Sequence, residues 1–172
     1  MLKEQADNII ISELENLKQR IIANIQANKQ TTSGRTAASF FVEPTENGIA
    51  LKTSQGNIMF QTLETGRKPG KIPLNFTHMI WQWIIDKGIS VKPINYIRQA
   101  SENWQPMYSP QERGELSLAG AIAHKIKTEG TELFQKGGRK DVYSNEIPKT
   151  ITEIKTKILG IFKIEFSNIK LN

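Results

Sequence analysis

A chain of 172 residues and 19.5 kDa holds about one domain, burying roughly two-thirds of its unfolded surface. It has no cysteine, which excludes disulfide scaffolds, thiolate zinc sites, iron–sulfur clusters and cysteine nucleophiles. Its 23 Lys and Arg against 17 Asp and Glu give a net charge of +6 and a pI near 9.5, a balance that suits an anionic partner or simply solubility.

The N-terminal MLKEQADNII carries acids where a secretion signal needs a basic stretch and then an apolar run, so secretion by that route is not expected. No apolar run in the chain approaches the length of a membrane span. Residues 3–29 read as one long helix, because Ile10, Leu14, Leu17, Ile21 and Ile25 recur on one stripe. Glu4, Glu15, Lys18 and Arg20 fall off that stripe, as a solvated face would. The run 28–34, rich in Asn, Thr, Ser and Gly, ends the helix.

Over 37–63 the period changes to two. Ser39-Phe40-Phe41-Val42 is β-rich, and Asn47-Gly48 is a hairpin turn signal before Ile49, Leu51 and Thr53. A second turn at 54–57 leads into Ile58-Met59-Phe60-Gln61-Thr62-Leu63, read as a third strand. An antiparallel meander of this size needs a cover for its apolar face, and the first helix is the available one. A loop rich in Gly, Pro and charge follows over 64–73. Asn75 is placed to cap a helix over 76–87. Phe76, Met79, Ile80, Trp83 and Ile84 form its apolar stripe, and Gly88 ends it. A short helix is expected after Pro93 through Ile94, Ile97 and Arg98. Residues 101–114, with Trp104, Pro106, Pro110 and Gly114, read as a surface loop. Further helices are expected over 115–128 and from Pro148 to about 160, and 161–166 alternates well enough for a fourth strand. The fold class is therefore α+β. A long N-terminal helix packs on a small antiparallel meander of three to four strands, with additional helices. The chain is read as one domain over 1–172, with a helical arm at 3–29 and a loop insertion at 99–114.

Chemistry is sparse. The aspartates Asp7, Asp86 and Asp141 lie in no calcium-loop pattern, and His78 and His124 lie in no zinc-chelating spacing. No G-x-S-x-G is present. The segment Gly66-Arg67-Lys68-Pro69-Gly70-Lys71-Ile72 imitates a phosphate loop but has one residue too few between its glycines. It also has a proline without an N–H, and an isoleucine where a magnesium-binding hydroxyl belongs. No catalytic residue, cofactor or metal is expected. Trp83 falls on the apolar stripe and is read as core, so that its truncation would cost several kcal/mol. Trp81 points elsewhere, toward an interface. Trp104, beside Pro106, Met107 and Tyr108, has the company typical of protein contacts.

The order of the pieces carries a resemblance. After the helix and the meander come Leu63-Glu64-Thr65-Gly66-Arg67-Lys68-Pro69-Gly70-Lys71-Ile72-Pro73 and Ile80-Trp81-Gln82-Trp83-Ile84-Ile85-Asp86-Lys87-Gly88. Ile122-Ala123-His124-Lys125-Ile126, followed by Gly130-Thr131, completes the series. This series, over about 30–160, resembles the neck or tail-completion proteins of tailed bacteriophages, which carry a Glu-x-Gly-x-x-Pro loop and a tryptophan-bearing helix ending in Lys-Gly. The spacer at 99–114 is longer than in that pattern, and 160–172 has no counterpart in it.

The resemblance implies a structural virion protein, assembled in the host cytoplasm, that forms a homo-oligomeric ring, sixfold or twelvefold, at the head–tail junction. Its partners would be itself and the adjoining portal, adaptor and tail rings, with DNA passing through the lumen. Interface residues would be Glu64, Gly66, Arg67, Lys68, Pro69, Gly70 and Lys71 of the loop, with Trp81 and Trp104. The alternative is a basic nucleic-acid-binding protein that uses the 64–73 loop and exposed aromatics.

Overall fold

A computed structural model describes residues 2–54, 56–97 and 105–168. In chain order its elements are α1 (Leu2–Ala27), α2 (Arg35–Ala38), β1 (Phe40–Thr45), β2 (Gly48–Thr53), α3 (Asn57–Thr65), α4 (Phe76–Asp86), α5 (Pro110–Glu129), α6 (Glu132–Gln135) and α7 (Glu146–Asn168). The fold is mixed and mostly helical, with the long N-terminal helix laid against an antiparallel sheet. The described residues gather into two compact units, one of 1–65 with 138–172 and the other of 66–137.

In the first unit α1 buries Leu17, Ile21 and Ile25 against Phe40 of the hairpin and Val142. The hairpin registers Phe40 opposite Thr53 and Val42 opposite Leu51. That register puts Phe40, Val42, Leu51 and Thr53 on the covered face, and leaves Glu43 paired with Lys52 (2.6 Å) on the other. The sheet has two strands, not the three to four expected. Residues 58–63 belong to α3 because Phe60, Leu63 and Glu64 must reach the same side, and their spacing of three and four does this only on a helix. Residues 161–166 likewise continue α7. Gly160, the one helix-weakening residue there, meets nothing where a Cβ would sit and does not break the run.

Helix α7 runs antiparallel to α1. Lys157 Nζ meets Glu13 Oε1 at 2.5 Å, and Arg20 Nη2 reaches Thr150 Oγ1 at 2.7 Å and Glu153 Oε2 at 3.1 Å. Arg20 therefore leaves the solvated face assigned to it and braces α7, and Glu13 is buried.

In the second unit α4 packs on α5, with Ile84, Ala119 and Ala123 at the contact; small residues on α5 let the helices approach closely. Helix α5 starts at Pro110, earlier than expected, because Ser109 and Glu112 form a capping box. Of the expected loop insertion, 110–114 is thus the first turn of a helix, and 99–104 lies outside the described residues. Among the described residues the short helix expected after Pro93 is not formed over 94–97, and Arg98 is not among them. The irregular segment 91–97 lies on α5 instead. Ile94 N donates to Pro110 O at 2.9 Å, and the Arg113 guanidinium stacks over Tyr96 at 3.9 Å while bonding Ile94 O. This segment touches Gly114 so closely that a Cβ there would come within 2.3 Å of Lys92 O. Gly114→Ala should therefore destabilise the protein by about 1–3 kcal/mol, read as a lower thermal midpoint. Gly120→Ala, on the same helix with open space around it, should not.

Candidate functional site

The loop at 66–73 is an irregular segment of the second unit that is tightly constrained. Arg67 N donates to Thr131 Oγ1 at 2.9 Å, Thr131 N donates back to Arg67 O at 2.8 Å, and Gly70 N donates to Lys127 O at 2.8 Å. These bonds rivet the loop to the corner between α5 and α6, where Thr131 also caps α6. The fit is close enough to dictate glycine at two positions. Gly66 has φ +66° and a Cβ there would lie 2.5 Å from Phe134 N; Gly130 has φ +81° and its Cβ would lie 2.7 Å from Arg67 O. The amides of Arg67 and Gly70 point into the protein and are bonded, so the bend is not built to wrap an anion.

Arg67 is an internal brace. Its Nη2 donates to Lys71 O at 2.9 Å and its guanidinium lies 5.2 Å from the Phe76 ring centre. Lys68, Pro69, Gly70 and Lys71 are exposed, and neither lysine has an ion-pair partner among the described residues. Beside them Leu74 is fully exposed, and on α4 Met79 and Trp83 are 47% and 39% exposed. Two exposed cations, an exposed leucine three residues on, and an exposed methionine and tryptophan on the helix that follows have the composition of a protein-docking surface.

Three assignments move. Glu64 is not part of this surface. Within the first unit it is 3% exposed, and its Oε1 accepts from the backbone amides of Val142 (3.0 Å), Tyr143 (2.7 Å) and Ser144 (2.9 Å). Its Oε2 accepts from the Ser144 hydroxyl. Of the α4 tryptophans, Trp83, read as core, is exposed, and Ile84 beside it is fully buried. Trp81 is half-buried, with Nε1 donating to Glu115 Oε2 at 2.9 Å and the ring edge-on to Tyr108, which takes it out of any stacking platform. Trp104 lies outside the described residues. Leu74 and Met79 complete the patch and were absent from the expected set. Met79 lay on the stripe read as buried, and nothing in the sequence distinguishes the side of α4 that α5 leaves bare.

Among the described residues no group of three or more His, Asp and Glu side chains could hold a metal ion, and no helix is long and apolar enough to cross a membrane. No protein-family model, no curated protein and no solved structure matches this chain.

Proposed function

We propose that this chain is a structural protein of a tailed-phage neck, forming a homo-oligomeric ring at the head–tail junction and docking to the adjoining rings through the 66–73 loop. The reading starts from the resemblance of the ordered sequence motifs. The observation that carries it is the loop itself: a backbone riveted at Arg67, Gly70 and Thr131 that leaves Lys68 and Lys71 exposed, followed in the chain by an exposed Leu74 and by the exposed Met79 and Trp83 of α4. A stiff loop loses little conformational freedom on docking, so its contacts translate into affinity. Its cations suit an acidic groove on a partner ring.

Arg67 is excluded from the test because its replacement would loosen the loop. Lys68→Glu with Lys71→Glu should leave the melting temperature within about 2 °C of the parent, as exposed substitutions do, yet block head–tail joining in complementation of an infected host. Normal yields of joined particles would discard the docking role. Retention of the purified protein on duplex DNA, falling steeply with salt, would favour the nucleic-acid alternative.

A further inference from the structure

We infer that two copies of this chain pair through the outer edge of β2, antiparallel about a two-fold axis at Ala50, so that their hairpins join into one four-stranded sheet. The inference uses neither the 66–73 loop nor α4, and it stands apart from the neck reading.

The hairpin register fixes where each main-chain group points. Ser54 N donates to Ser39 O at 3.1 Å, which makes 39 and 54 a hydrogen-bonded pair. In an antiparallel ladder such pairs alternate with pairs whose N–H and C=O groups point away from each other. Phe40 opposite Thr53, Val42 opposite Leu51 and Pro44 opposite Ile49 are therefore of the second kind. Ile49 and Leu51 thus aim their N–H and C=O groups outward along the β2 edge. Among the described residues no third strand takes these groups, and neither residue makes a main-chain bond outside the hairpin. Pro44 agrees with this assignment, since a residue without an N–H fits a ladder only where that N–H would point outward. It also interrupts the β1 edge, which leaves β2 as the edge better suited to another strand.

A row of alternating donors and acceptors is matched by an extended strand, and the side chains say which one. Pairing about Ala50 sets Ile49 of each copy opposite the partner's Leu51, and these four residues exchange four N–H···O=C bonds. By alternation Ile49 shares the face of Leu51, which packs on the α1 core, so the apolar layer runs on across the junction. Ala50 meets the partner's Ala50 at a non-hydrogen-bonded pair, where Cα atoms approach to about 4.5 Å and a small side chain fits. Thr53, whose carbonyl already accepts from Gly56 N, stays outside the four bonds. Lys52 is the one charged residue of β2; it is paired with Glu43 at 2.6 Å and falls opposite the partner's Gly48. A strand with no unbalanced charge has nothing by which to select an acidic or basic partner, and nothing to repel its own copy. The contact is isologous and closes on itself, so it joins copies in pairs beside any heterologous contact that closes a ring.

The chain has no cysteine, so a single introduced thiol reports the pairing directly. Ala50→Cys in the full-length protein should form a disulfide-linked dimer on treatment with diamide, because the Cα separation at that pair lies within the disulfide range of about 4.4–6.8 Å. Lys52→Cys, on the same strand and face, should cross-link roughly tenfold more slowly or less, since its two copies lie about 13 Å apart along the strands. Ile49→Pro removes an outward donor without touching a hairpin bond, and should weaken dimerisation, read by analytical ultracentrifugation, by roughly tenfold or more. If that variant melts lower than the parent, Ala50→Glu replaces it; two carboxylates set face to face should weaken pairing by a similar factor. Equal cross-linking of the two cysteine variants overturns the proposed register and the interface with it. Dimers that survive both Ile49→Pro and Ala50→Glu overturn it in favour of a contact elsewhere. A parent that stays monomeric at about 1 mM overturns it and leaves the edge to a strand of another protein. Particle joining by Lys68 and Lys71 is decided by its own test, so the two readings fail separately.

Discussion

Glu64→Ala should lower stability by about 3 kcal/mol, because three backbone amides, that of Val142 buried and those of Tyr143 and Ser144 partly buried, lose their acceptor at once and each orphaned donor costs about 1–3 kcal/mol. In thermal terms that is a fall of roughly 6–12 °C for a chain of this size. Glu64 lies in the last turn of α3 and holds the turn at 138–145 through both its side chain and its carbonyl. Its carboxylate takes the amides of Val142, Tyr143 and Ser144, and its own carbonyl accepts from Arg139 N at 2.8 Å. That turn delivers Val142, which is fully buried among Leu17, Ile21, Ile25 and Phe40. It also delivers Tyr143, whose ring stacks on Phe60 at 4.2 Å. Loss of the carboxylate therefore loosens the central core of the first unit, not just a surface bend. Glu64→Gln separates geometry from charge. Its amide oxygen can still accept all three N–H groups and its amide nitrogen can donate to Ser144 Oγ, so the loss should be only about 1–2 kcal/mol, the difference between a charge-assisted and a neutral acceptor. The Tyr143 phenol gives a second readout. Burial raises its pKa first and the Glu64 charge second, so in Glu64→Gln it should titrate closer to the ordinary tyrosine value. Equilibrium unfolding in urea checks the stabilities. An alanine variant as stable as the parent would mean that water or another side chain holds the turn.

The elements most legible in the sequence were those whose pattern is local. The α1 stripe needed only spacing, the hairpin needed Asn47-Gly48 between alternating residues, and α5 needed its small and apolar residues ahead of Gly130. The two misread stretches, 58–63 and 161–166, are short apolar runs in which a period of two and a period of 3.6 fit equally well. Tertiary contact decided both: Phe60 and Leu63 join the core from one helix face, and α7 simply continues. At the candidate site the loop and its exposed lysines were visible from Gly, Pro and charge. What could not be read was which side chains turn inward. Glu64 finds its partners 78 to 80 residues away, and Arg67 finds Phe76 only because the loop folds back. The apolar stripe of α4 was correctly periodic, yet a stripe gives a direction and not a neighbour. Since α5 covers the side of Ile84 and Trp81, Met79 and Trp83 were left outside.

Lys157→Met should destabilise the protein by about 2–3 kcal/mol at pH 7. Glu13 is 2% exposed, and its carboxylate would lose the Lys157 cation that faces it, Nζ to Oε1 at 2.5 Å. Breaking a wholly buried pair costs about 3–5 kcal/mol; the lower figure applies because the Lys157 side chain is about half exposed and water reaches that end. The companion is Lys157→Met with Glu13→Leu, which removes both charges and should recover most of the loss, since an apolar pair fits a helix–helix contact at least as well as an ion pair. The pH dependence distinguishes this account from a packing defect. The hydrogen bond from Lys157 holds the Glu13 carboxyl below its ordinary value near 4.5, against the opposing push of burial. In the parent, that interaction stabilises the fold above the ordinary glutamate range and is lost as pH falls through the lowered folded-state pKa. In Lys157→Met the largest lowering contribution is gone while the hydrogen bonds from Asn16 and Glu153 remain, so the carboxyl titrates higher than in the parent and less stability is lost as pH falls. The stability gap between the two proteins should therefore be widest near neutrality and shrink steadily between about pH 5 and pH 3. Urea unfolding at several pH values would show this, and a gap of constant size would mean that Lys157 holds α7 on α1 by its aliphatic stem rather than by its charge.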